Sequence, residues 1–110
     1  SRTFNDIQSK KIDYLKSKLN LENSKDDEKT FFKTKLDKLS MIDERLQITK
    51  DDLDVYDSIL KIINEEKDAQ IKTQSDLDTL QNSQKIKSLD IKVYEIDKQL
   101  ELLEMYVKLQ

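Results

Sequence analysis

The 110-residue chain has no Gly, Pro, Cys, His or Trp. Ordinary usage would supply about 7% Gly and 5% Pro. Tight β-hairpins and sharply turning α/β folds draw on glycine for their turns, so a chain without it is either helical or disordered. Disorder is the poorer expectation, because Leu, Ile, Val and Phe number 32 of the 110 residues, above the roughly 20% below which chains fail to bury a core. The same absences exclude chemistry. Without Cys and His there is no zinc site, thiol nucleophile, Ser-His-Asp triad or imidazole switch. Without Gly there is neither a P-loop nor a dinucleotide fingerprint. No apolar run approaches the ~18 residues of a membrane span, and no signal-peptide pattern opens the chain. A cytoplasmic or nuclear protein is expected, and a start at Ser1 rather than Met reads as a domain cut from something longer.

What is present is charge, 39% of residues with a net charge of −3, laid over a 35% hydrophobic set. Three apolar-patterned stretches emerge. In the first, Phe4, Ile7, Ile12, Leu15 and Leu19 recur at mostly helical spacing, with Tyr14 and Leu21 beside them, giving an expected helix over 4–21. A polar interval follows, in which Ser24 and Asp27 have the spacing of a helix N-cap. A second helix is expected over 25–69.

That second stretch carries a heptad seam. Phe32, Leu39, Leu46, Leu53 and Leu60 repeat every seven residues at position a. Ile42, Tyr56 and Ile63 repeat at d, with Lys35 and Thr49 as exceptions. A further line, Met41, Ile48, Val55 and Ile62, widens the apolar face, so this helix is expected to touch two neighbours. Thr49-Lys50-Asp51-Asp52 has cap spacing, but the a line passes through it unbroken and one helix is expected there.

Between Asn64 and Lys85 the pattern thins to Ala69, Ile71, Leu77 and Leu80. Two overlapping cap candidates, Thr73-x-x-Asp76 and Ser75-x-x-Asp78, sit in this zone, and the heptad phase slips across it. A bend near 70–76 is expected, although a stutter in one long helix would leave similar marks. A third helix over 76–110 has the cleanest seam: Ile86, Val93, Leu100 and Val107 at a, with Leu89, Ile96 and Leu103 at d. β-Branched residues at most a positions and Leu at most d positions suit a parallel two-stranded coiled coil. Toward the end Leu102, Met105, Tyr106 and Leu109 spill round the helix, to be buried either by other helices of the chain or by a partner.

These features give an all-α, single-domain chain: an elongated helical hairpin or three-helix antiparallel arrangement with coiled-coil seams. The alternative is one long continuous parallel coiled-coil dimer. No catalytic, cofactor-binding or metal-ligating residues are expected. The acidic group Asp51, Asp52, Asp54 and Asp57 lacks the Gly and Glu of a calcium loop. Its Asp57 is spaced to pair with Lys61, as are Asp6 with Lys10, Asp68 with Lys72 and Glu104 with Lys108. The candidate interface comprises Ile86, Leu89, Val93, Ile96, Leu100, Leu103, Val107 and Tyr106, with the seam from Phe32 to Ile63 as a second apolar surface. Phe31 is expected to pack between the chain's own helices. Lysines crowd residues 10–38, which makes an anionic membrane surface a conceivable contact. Only two arginines, Arg2 and Arg45, argue against nucleic acid.

The functional expectation is a non-enzymatic scaffold or assembly module. It would oligomerise or dock a helical partner subunit through its C-terminal coiled coil, with no cofactor and no small-molecule substrate. The alternatives are a helical module of a membrane-trafficking or membrane-remodelling protein, and a spacer coiled coil of a chromosome- or cytoskeleton-associated one.

Overall fold

The computed structural model describes residues 2–18, 26–65 and 73–110. It contains α1 (Arg2–Lys18), α2 (Asp26–Glu65) and α3 (Gln74–Leu109), and no strand among the described residues. The expected all-α, three-helix architecture is therefore present. Leu19, Leu21, the Ser24 cap, Ala69, Ile71 and the Asp68–Lys72 pair lie outside the described residues, as does the side chain of Phe4.

Each helix forms for reasons visible locally. Asp26, Asp27 and Glu28 occupy the first turn of α2, where carboxylates meet the positive end of the helix dipole. The start of α3 is fixed by Thr73, whose Oγ1 accepts from the backbone N–H of Asp76 at 3.1 Å. That is an N-cap of the usual kind, and it places the helix start two residues before the expected 76. Of the two overlapping candidates, Ser75 instead lies inside the helix, where its carbonyl accepts from the Thr79 hydroxyl at 2.9 Å. No new helix begins at Thr49: α2 runs through it, and the Thr49 hydroxyl donates back to the Arg45 carbonyl at 2.8 Å.

The chain divides into two units, residues Ser1–Met41 with Asp97–Gln110, and Ile42–Ile96. In the first, Leu15 of α1, Phe32 and Leu39 of α2, and Leu102 and Met105 of α3 form a buried cluster, with Ile12, Phe31, Leu36 and Tyr106 packed against it. Phe31 meets Phe32 edge to face, ring centroids 5.1 Å apart, and so serves the chain's own packing as expected. Lys35 of α2 reaches Glu104 and Glu101 of α3, while Lys38 reaches Glu101. Ascending numbers on α2 meet descending numbers on α3, so the two segments are antiparallel.

In the second unit Ile42, Leu46 and Leu60 are buried, and Leu53, Tyr56 and Ile63 are half-buried along the same face of α2. From α3 the half-buried residues include Leu77, Leu80, Ile91 and Tyr94. Lys87 pairs with Asp52 at 3.4 Å and Gln84 donates to Asp57 at 2.7 Å, again an antiparallel order. The seam from Phe32 to Ile63 is thus the internal seam of the fold. A single unbroken rod, the alternative expectation, is ruled out by these α2–α3 pairs.

Candidate functional site

α3 is apolar on two sides. Toward the other helices it turns Lys87, Ile91, Tyr94, Lys98, Glu101, Leu102 and Met105, all buried or half-buried. At 100° per residue the a/d line of 86–107 falls on the opposite side of the cylinder. Ile86, Leu89, Val93, Ile96, Leu100, Leu103 and Val107 are accordingly exposed, each between 51% and 60%. Four of the seven belong to the unit ending at Ile96 and three to the unit beginning at Asp97. Scattered exposed aliphatics are ordinary on any surface, but a line of seven at regular a/d spacing is a contiguous apolar stripe, the form taken by interaction sites.

Tyr106, grouped with this seam in the sequence, is placed differently. It is half-buried and stacks on Tyr14, ring centroids 6.3 Å apart and planes inclined by 27°. Leu102 and Met105 are likewise covered by the chain's own helices. Tyr14, Tyr106, Leu109 and Gln110 line an open depression at this end of the first unit.

The line Met41, Ile48, Val55 and Ile62 does not widen the internal face of α2. Its members are 45–56% exposed, because the c position they occupy lies across the helix from the a/d seam. Flanking that line are Glu44, Arg45, Asp51 and Ser58, all exposed. It offers one apolar residue per two turns, a thinner stripe than that of α3.

The charged groups are organised around Glu101. Its side chain is 7% exposed and takes Lys35 Nζ on Oε2 and Lys38 Nζ on Oε1, both at 2.7 Å. Burial pushes the Glu101 carboxyl up, and the two lysine hydrogen bonds outweigh it, holding the group below its ordinary 4.5. Lys35 is raised above 10.5 by its hydrogen bonds to Glu101 and Glu104. Lys35 and Lys108 also lie over the Phe31 ring, at 5.7 and 5.4 Å from its centroid. The expected helix-surface pairs Asp57–Lys61 and Glu104–Lys108 give way to contacts between helices: Asp57 accepts from Gln84 and Glu104 from Lys35. The acids at 51–57 are also dispersed, Asp51 taking Gln47 and Asp52 taking Lys87. Among the described residues no three acidic side chains converge as a metal site would require.

The internal role of Glu101 and of the buried Lys98 was missed from sequence. The available signal was Lys35, a cation interrupting an apolar d line, which calls for a carboxylate on whatever helix packs there. No helix among the described residues is long and apolar enough to cross a membrane. The chain matches no family model, no curated protein and no solved structure.

Proposed function

We propose that this chain is a non-enzymatic helical assembly module that associates with another helix through the outer a/d face of α3. The observation that carries the reading is the position of its most regular heptad seam. The seven residues at 86–107 satisfy the coiled-coil pattern better than any other stretch, yet the chain's own helices leave all seven exposed. Full burial of such side chains is worth about 1.5–3 kcal/mol each. With roughly half of each still exposed, covering the stripe supplies on the order of 6–12 kcal/mol per chain before ordering and association costs. That is sufficient for a specific helix–helix contact.

The Lys-rich stretch supports a membrane contact less well, because Lys35 and Lys38 are turned to Glu101. The test of the assembly reading is Leu100→Glu. The variant is expected to keep its helical content by circular dichroism and to run as a single 13.0 kDa chain, while the native chain forms a larger species. An unchanged assembly mass removes the reading. Loss of helix in the variant removes it too, because the seam would then be buried within the chain's own fold.

A further inference from the structure

We propose that the helix covering the outer face of α3 is α3 of a second copy of this chain, lying parallel and in register to form a two-stranded coiled coil. The inference rests on the assembly reading above and adds the occupant and its orientation. Its support is the charge beside the seam. With Ile86 and Val93 at a, the flanking g positions hold Lys85 and Lys92, and the flanking e positions hold Asp90 and Asp97. In a parallel pair each g residue faces the e residue five positions further along the other helix. Lys85 therefore meets Asp90 of the second copy, and Lys92 meets Asp97. By symmetry both contacts occur twice, giving four interchain pairs. An antiparallel pair instead sets g against g and e against e, so Lys85 and Lys92 would meet no acid, their partners coming from Lys85, Lys92, Gln99 and Tyr106, and the acids Asp90, Asp97 and Glu104 would face one another. The sequence thus favours one orientation and penalises the other.

The fold leaves these groups in place for the purpose. Lys85, Lys92 and Asp97 are exposed and Asp90 is half-buried, while the ion pairs of α3 to α2 use Lys87, Glu101 and Glu104. The next rung is consistent. Glu104 occupies the following e position and is held by Lys35 of its own chain; the g residue that would face it is the uncharged Gln99. Where an acid is already partnered internally, no interchain cation is supplied. The seam also ends where the pattern ends, since the preceding d position is the exposed polar Asn82.

The area fits a dimer. A half-exposed Leu, Ile or Val still shows on the order of 100 Å², so two seven-residue seams bury about 1,400 Å², within the ~1,200–2,000 Å² of stable specific interfaces.

The experiment combines charge reversal with end-specific crosslinking. The native chain is expected at twice its 13.0 kDa mass by analytical ultracentrifugation at tens of micromolar. Lys85→Glu with Lys92→Glu, and separately Asp90→Lys with Asp97→Lys, are each expected to weaken the dimer at least tenfold, and an equimolar mixture of the two is expected to restore it with one copy of each. In a chain without cysteine, Ile86→Cys and Val107→Cys each introduce a single thiol. Both are expected to form an interchain disulfide under mild oxidation, because parallel a positions face each other, whereas a fully overlapped antiparallel pair would hold like ends about 30 Å apart. A dimer that Leu100→Glu dissociates, but that neither crosslinks at its ends nor responds to charge reversal, overturns the parallel pairing and leaves the assembly reading standing. A trimeric native chain overturns the homodimer, and a monomeric one overturns the assembly reading with it. A mass unaffected by Leu100→Glu overturns both.

Discussion

Two residues interrupt the d line of the internal seam, and each is accommodated by a different device. Lys35 keeps its charge by reaching two carboxylates on α3, and Thr49, 8% exposed, satisfies its hydroxyl on the carbonyl one turn back. The first device makes Glu101 a residue on which stability depends. Replacing it by Gln removes the charge while keeping the shape, leaving Lys35 and Lys38 with weaker acceptors. Hydrogen bonds to charged groups contribute about 1.5–3 kcal/mol, and the partial exposure of Lys38 reduces that, so Glu101→Gln is expected to destabilise by about 1–2 kcal/mol in urea unfolding. The cluster also sets a pH window. Glu101 titrates below 4.5 in the fold, so its stabilisation is present above that value and fades as pH falls through the lower folded pKa. Lys35 titrates above 10.5, so its share is complete below that value and fades as pH rises further. Glu101→Gln is therefore expected to flatten the acid side of a stability–pH profile. A variant with the native acid slope would assign that slope to other carboxylates.

At the scale of the element, α3 has one face covered by the chain's own helices and an opposite apolar face left exposed, and this explains what sequence could and could not tell. Its outer seam was legible because it is purely aliphatic and regular. Its inner face was not, since it mixes Lys87, Lys98 and Glu101 with Ile91, Leu102 and Met105, and a charged residue on a helix reads as solvated until a second helix is known to supply its counter-ion. The seam of α2 was legible for the opposite reason: five aliphatic or aromatic a residues fall in an unbroken line, and they are the ones the fold buries or half-buries. The bend was legible through Thr73, although Ser75 offered the same spacing two residues later. The two faces are separable by substitution. Met105→Ala is expected to lower the stability of the single chain by about 2–5 kcal/mol, as large-to-small changes in a packed cluster do, whereas Leu103→Ala is expected to leave the single chain within about 0.5 kcal/mol and to act on assembly alone. Thr73→Ala is expected to cost about 1 kcal/mol, read as earlier loss of amide protection in the first turn of α3. Equal effects of Met105→Ala and Leu103→Ala on a dilute, monomeric sample would contradict the two-faced assignment.

For the whole molecule, the proposed assembly would couple folding and association through one helix. Among the described residues, the unit containing residues 42–96 buries Ile42, Leu46 and Leu60 of its apolar side chains, while the outer side of the same α3 segment still exposes Ile86, Leu89, Val93 and Ile96. In the proposed dimer, covering that side would stabilise the helix that the internal core also needs, so the melting temperature is expected to depend on protein concentration. For two chains of 110 residues the unfolding entropy is about 0.46 kcal/mol/K, and a tenfold change in concentration is worth about 1.4 kcal/mol. The melting temperature of the native chain is therefore expected to rise by roughly 3 °C per tenfold increase in concentration. Leu100→Glu is expected to abolish that dependence and to melt at the value the native chain approaches on dilution. A native melting temperature that stays constant over a hundredfold range would show that the chain folds to completion alone, and that whatever covers the outer face of α3 contributes nothing to holding it together.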